Sequence, residues 1–415
     1  MTSRERIRKA INHEETEELP IDLGGTKASG IHVDEYLEVA QLLGLEVGIP
    51  KVYDQFQMLA RVEEPILSRF KCDVIQLENV CETWELDNKD WKNWTTGKGH
   101  TVQVPGGFAP EYDEEGYLIL RNQKGRKVAF MPQKDGLYFE RYNDPALAVS
   151  ADDDHLMDPE VWRKSIPLYR DEELKLLEQR AKDLYNHTEF SVSGGFGKLR
   201  MTSTSIFAGH EFTDWLCRLC TDPEYVYEIL EATADRAIEN LKLYLEAVEP
   251  YIDTIFMSTT DYGTQDRELF HPDIFRDLYL PNLKKVNDYV HSHSHAKTMY
   301  HSCGSIRNIL GYMIEAGIDI INPVQTTAAG MDPAALKEEF GKDIVFWGGG
   351  ADTQTTLQFG TPKEVRAQVR ERIDIFRKGG GFVFNPVHNI QYGVRPENVI
   401  AMYDEAIRYG SREDE

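Results

Sequence analysis

Short apolar runs recur along this chain, each ended by glycine, proline or a polar cluster, and longer stretches with helical spacing lie between most of them. Residues 19–24 and 73–78 read as the first two buried strands, the earlier closed by a glycine turn. Six more strand-like runs follow at 190–193, 252–258, 296–301, 318–322, 344–348 and 382–385. Helical spacing predicts helices at 3–12, with Ser3 as its cap, and at 33–43, 53–67, 171–185, 224–245, 272–291, 306–316 and 362–378. Strands alternating with helices imply a parallel sheet. Eight such units predict an α/β protein built as a closed (β/α)8 TIM barrel.

Between residues 84 and 143 the texture changes. Trp, Tyr, Thr and Val alternate with polar residues, and turn signals fall at Gly97-Lys98-Gly99, Pro105-Gly106-Gly107 and Asp135-Gly136. That pattern predicts antiparallel β-hairpins inserted into the barrel. The expected organisation is a single domain. Residues 1–83 carry an N-terminal helical extension and the first barrel units, 84–143 form the insertion, and 144–415 complete the barrel. The insertion and the extension account for much of the excess of 415 residues over the ~250 typical of such barrels. Asp152–Asp154 reads as a solvated acidic loop.

Charge and composition narrow the function. A net charge of −24 argues against nucleic acid, whose phosphates need a basic face. No apolar run reaches the ~18–20 residues of a membrane span. The N-terminus is charged where a signal peptide is apolar. Five scattered cysteines suit a reducing cytoplasm better than a disulfide framework.

Catalytic residues of a (β/α)8 barrel sit at the C-terminal ends of its strands, and the polar residues here collect there. The second strand ends in Glu78-Asn79 and the fourth in Asp261-Tyr262-Gly263-Thr264-Gln265. Next come His301-Ser302-Cys303-Gly304, Asn322-Pro323-Val324-Gln325, Trp347 to Asp352, and Asn385 to Gln391. Strand beginnings show no such pattern. On an extended chain residues i and i+2 share a face, so His301 and Cys303 can offer nitrogen and sulfur to one point. With His388, from the last strand, they make three ligands plus an open position, the donor set of a catalytic zinc. His388 can equally be a rim histidine bonded to backbone, Asp261 a helix cap, and Gln325 and Asn389 loop-satisfying amides. The Gly348–Gly350 run lacks the lysine and spacing of a phosphate-binding loop.

Two other clusters read as structural. His291, His293 and His295 fall between a helix end and a strand start, on the opposite face of the barrel. Cys217 and Cys220 lie within an apparent helix with no second pair, which predicts core packing.

Over nearly its whole length the chain resembles the uroporphyrinogen decarboxylase-like superfamily, and within it the cobamide-dependent methyltransferases. The motifs that carry the resemblance are Arg4-Glu5-Arg6-Ile7 to Pro20-Ile21-Asp22, Asp261 to Gln265, His301 to Gly304, Asn322 to Gln325, His388 to Gln391, and Pro396-Glu397-Asn398. True decarboxylases of this superfamily use no metal and bind porphyrin carboxylates with arginines of the first barrel loop. Here no arginine occurs between Arg8 and Arg61, and that loop reads Gly24-Gly25-Thr26-Lys27-Ala28-Ser29-Gly30.

The thiol methyltransferases of the superfamily hold zinc with His-x-Cys and a later Cys, whose apparent position is taken by His388. Two imidazoles and one thiolate leave zinc more electron-poor than one imidazole and two thiolates, which favours activation of oxygen over sulfur. The resemblance then implies an O-demethylase methyltransferase. It would take the methyl group of a methoxylated aromatic and pass it to a Co(I) corrinoid on a small partner protein, since the chain has no D-x-H-x-x-G corrinoid-attachment signature. In that reading His301, Cys303 and His388 bind zinc, and zinc on the ether oxygen, or a proton from Asp261 if burial raises its pKa, stabilises the developing charge. Glu78, Tyr262, Gln265, Gln325, Trp347, Asp352, Asn389 and Gln391 contact the substrate. Methyl transfer from a methylcorrinoid to a thiol, metal-free decarboxylation, and a non-catalytic corrinoid-binding barrel are the alternatives. The direction of transfer and the oligomeric state, a homodimer included, stay open.

Overall fold

A computed structural model describes residues 1–80, 84, 86–122, 125–132, 136, 138–142, 156–195, 198 and 207–411. Its central sheet holds seven parallel strands: β2 (Val74–Gln76), β3 (Ser191–Gly195), β4 (Thr254–Thr259), β5 (Lys297–His301), β6 (Ile320–Asn322), β7 (Val345–Trp347) and β8 (Phe382–Val383). They pair in chain order from β2 to β8. The eighth stave, β1, is one residue wide. Ile21 makes a parallel bridge to Phe384, and the Asp73 amide donates to the Ile21 carbonyl at 2.7 Å. β1 therefore joins β8 to β2 and closes a (β/α)8 barrel. Pro20 explains its brevity, because a residue without an N–H cannot extend the ladder.

The barrel interior is apolar below and polar at the mouth. Val74, Phe256, Met299, Ile320, Val345, Trp347 and Val383 form one buried cluster with Ile7, Ala10 and Ile11. Those last three belong to the first helix (Ser3–Ile11), which plugs the N-terminal end of the barrel. Its cap is Thr2 rather than Ser3: Thr2 and Glu5 form a reciprocal capping box, with both orphan amides satisfied.

The helix expected at 53–67 is not formed. Val52–Asp54 pairs antiparallel with Leu59–Ala60, and a short helix (Glu64–Arg69) follows. Gln55 donates its side-chain amide to the Val52 and Tyr53 carbonyls, and Met58 takes a positive φ of 53°. A side chain that bonds its own backbone competes with the helical ladder, and Pro65 sets the start of the helix that does form.

Residues 92–141 contain an antiparallel hairpin (Lys92–Thr95 with Thr101–Val104) and a four-stranded antiparallel sheet (Glu111–Tyr112, Tyr117–Arg121, Lys127–Pro132 and Glu140–Arg141). The turn residue Asp135 and the loop 152–154 lie outside the described residues. Cys217 and Cys220 are exposed on the helix Phe212–Thr221, not in the core. Trp215 and Leu219 point inward, and at 100° per residue both cysteines fall on the opposite face. No described helix is long and apolar enough to cross a membrane.

Candidate metal centre at the barrel mouth

His301 is the last residue of β5, and it faces the barrel interior like Met299 two residues earlier. Its Nδ1 lies 2.7 Å from the Asn322 side-chain oxygen. The Asn322 amide nitrogen donates to the Trp347 carbonyl at 2.9 Å. That second bond fixes the amide orientation: the oxygen faces the histidine, so Nδ1 carries the proton and donates. His301 Nε2 then presents its lone pair toward the Cys303 sulfur. Holding one nitrogen so that the other can ligate is the usual outer-sphere device of metal-binding histidines.

The strand ends at His301, so Cys303 reaches the same point from a loop rather than from an extended strand. Two contacts hold that loop. The Cys303 amide donates to Asp261 at 2.8 Å, and the Gly304 amide to Gln325 at 2.8 Å. A close crossing with the loop after β4 adds a third constraint. A Cβ on Gly304 (φ +87°) would lie 2.4 Å from the Gly263 carbonyl carbon, and one on Gly263 would lie 2.7 Å from the Ser305 amide nitrogen. Both positions require glycine.

As a result Cys303 Sγ sits 3.4 Å from His301 Nε2. The donor atoms of His301, Cys303 and His388 all lie within 4.8 Å of one another. A tetrahedral zinc with bonds of about 2.0–2.3 Å separates its nitrogen and sulfur ligands by about 3.5 Å, so the residues fit the ion. Burial pushes the His388 pKa down to about 3, which keeps its imidazole neutral. Burial and the neighbouring Asp261 carboxylate push the Cys303 thiol well up. A cation at this point reverses that preference, because a coordinated thiol is deprotonated.

The other candidate residues fall into two groups. Gln325, Asn389 and Gln391 line a cavity of about 260 Å³ together with Cys303 and His388. Gln265 reaches it indirectly, accepting from Gln325 at 2.6 Å and donating to Gln354 at 3.2 Å. The remaining four turn elsewhere. Tyr262 is buried edge-to-face among Phe270, Phe275 and Tyr279. Trp347 lies in the barrel core and donates to Asp22 at 2.8 Å, a carboxyl that burial pushes up to about 6. Asp352 accepts from the Gln354 amide at 2.8 Å and from the Thr355 hydroxyl. Glu78 is held by the Arg61 guanidinium through both oxygens. Nor is Asp261 buried as expected: its side chain is 44% exposed, with Oδ1 3.8 Å from His301 Nε2.

Asn322, Thr353, Gln354, Gln358, Val387 and Val394 belong to this mouth; Asn322 and Val387 fell within the rim stretches read from sequence but were given no role, and the other four were not picked out. Asn322 had a readable signal, an inward amide at the end of β6. The cavity-lining residues between 353 and 358 had none.

Residues 180–409 match the family model for uroporphyrinogen decarboxylase (URO-D), which is more than half of the chain, and the chain belongs to that family. A curated uroporphyrinogen decarboxylase of Methylococcus capsulatus (strain ATCC 33009 / NCIMB 11132 / Bath) is 24% identical over 198 residues, 48% of this chain. The chain spans about half (52%) of the length of that relative. Among solved structures, a methyltransferase from Methanosarcina mazei shares the fold with a TM-score of 0.54, 16% identity and 99% of both chains covered.

Proposed function

We propose that this protein is a zinc-dependent methyltransferase. It takes the methyl group of an aryl methyl ether and delivers it to the Co(I) corrinoid of a small partner protein. The observation that carries the reading is the convergence of one thiol and two imidazoles within 4.8 Å at the mouth of the barrel. A URO-D fold shared with a methyltransferase of Methanosarcina mazei supports it.

His301, Cys303 and His388 would hold zinc, which would supply Lewis acidity toward an oxygen leaving group. The chain's own groups do the rest. Asn322 holds the His301 tautomer, Asp261 and Gln325 hold the Cys303–Gly304 backbone, and Gln325 and Gln354, linked through Gln265, line the approach. Decarboxylation of a tetrapyrrole is the weaker reading, since it calls for cations in the first barrel loop. That loop's single cation, Lys27, is paired with Asp54 at 3.2 Å.

The test is a reconstituted turnover with zinc-loaded protein, a reduced corrinoid protein and methoxybenzenes. Release of the free phenol with methylation of cobalt is the expected result. Methyl transfer from methylcorrinoid to a thiol, without phenol release, would replace the reading with its reverse. Loss of CO₂ from a tetrapyrrole would return the chain to its family's namesake chemistry.

A further inference from the structure

A second, smaller cavity adjoins the metal-facing one. It measures about 160 Å³, and its exposed lining is almost entirely apolar. Its walls include Phe56, Leu59, Tyr138, Phe139 and Ile390, and it shares Asn389 and Gln391 with the first cavity. An apolar cavity of roughly 150 Å³ is enough to take up one benzene molecule.

The wall is rigid. Phe139 is fully buried, and its amide donates to the Phe56 carbonyl at 3.0 Å. Trp84 stands edge-on to both Phe56 and Phe139, and Phe108 edge-on to Phe139. Asn389 is equally fixed. Its oxygen accepts from the Gly30 amide at 2.6 Å, and its nitrogen donates to the Lys27 carbonyl at 2.8 Å and to Gln57 at 2.9 Å. The partition between the two cavities is therefore a locked amide beside Gln391. Among the described residues the one carboxylate lining the small cavity is that of Glu140, which is exposed.

We propose that this cavity is the ring-binding subsite of the enzyme, and that it selects a single uncharged six-membered aromatic ring over a ring bearing a carboxylate. The inference rests on the aryl-ether reading above and specifies its substrate class. A ring seated between Phe56, Tyr138 and Phe139 directs its substituent past Asn389 and Gln391 toward Cys303 and His388. Glu140 disfavours a benzoate by like-charge repulsion; the Arg141 guanidinium, 5.6 Å from the Phe56 ring centroid, has its charge offset by Asp54. Specificity then resides largely in residues 138–140, which lie in and beside the β-insertion, and not in the barrel.

Binding of phenol and of benzoate to the protein, with and without zinc, tests this by saturation-transfer NMR and calorimetry. Phenol is expected to bind in both metal states and more tightly than benzoate. Tyr138→Ala, at an exposed position, weakens phenol about tenfold, the loss of one aromatic wall. Glu140→Lys raises the affinity for benzoate relative to that for phenol. Absence of phenol binding, benzoate binding at least as tightly as phenol, or indifference to both substitutions would overturn the subsite. Phenol binding as described, with no methyl transfer in the reconstituted assay, would instead sink the reading of function and leave the subsite standing.

Discussion

The two ends of this barrel each carry a group of histidines, and they are built on opposite principles. At the N-terminal end His291 meets Asp319 at 2.8 Å and His295 meets Glu249 at 2.7 Å, with side chains 36% and 47% exposed. His293 stacks on Tyr289, ring centroids 4.1 Å apart. Each imidazole there has a carboxylate or an aromatic ring as partner, although His291 and His295 line one cavity. At the C-terminal end the His301 side chain is 7% exposed, with Nδ1 on the neutral Asn322 amide and Nε2 3.8 Å from Asp261 Oδ1. The His301 and His388 rings stand 5.4 Å apart, and the Cys303 sulfur lies 3.4 Å from His301 Nε2. Histidines satisfied by separate partners brace a surface. Histidines brought together beside a thiol, with their donor atoms within 4.8 Å of one another, make a group that could hold a cation.

The largest expected effect breaks that contrast at its centre. Cys303→Ala or His388→Ala should remove zinc and lower turnover by about 10³-fold or more, read by metal analysis and phenol release. Changing His291, His293 and His295 together to Gln should leave both readouts within about twofold, since surface ion pairs contribute little.

A smaller effect should come from Asn322→Ala, which leaves the three ligands in place but frees the His301 ring. Zinc affinity is expected to fall about 10–100-fold, measured by chelator competition. An unchanged affinity would mean that the amide tether is incidental.

Asp319 sharpens the other side of the comparison. Burial alone would raise its pKa, but hydrogen bonds from His291 and the Thr298 amide and the charge of Lys297 bring it below the ordinary carboxylate value. A carboxyl depressed in the folded state stabilises the protein above its unfolded pKa of about 4, and that stability is lost as pH falls through the folded value. Asp319→Asn should therefore cost about 2 kcal/mol at pH 7. The gap to the unsubstituted protein should narrow as the pH drops below about 4, as read by urea unfolding across pH.

The same contrast shows what the chain's spelling reveals. All eight staves were legible because each is a compact apolar run between turn residues, and β1 was legible although only Ile21 of it pairs. Rim and base could be told apart from residue order alone, because a residue that follows a strand and one that precedes it lie at opposite ends of a barrel. Direction within the rim was not legible. Tyr262, Trp347 and Asp352 follow or end strands as Gln325 does, yet they turn into aromatic packing, the core and a local turn. Adjacency in the chain does not say which way a loop side chain faces. The segment 53–67 misled for a related reason: Gln55 bonds its own backbone, which helical periodicity does not register. The apolar cavity was invisible altogether, since its walls come from segments more than 300 residues apart, from His32 to Gln391.

Zinc content of the purified protein, measured beside the His388→Ala variant, bears most directly on the central claim. The account predicts about one zinc per chain in the unsubstituted protein and a large loss in the variant. A chain that binds no zinc when it is offered, or a variant that holds it as tightly, would contradict it.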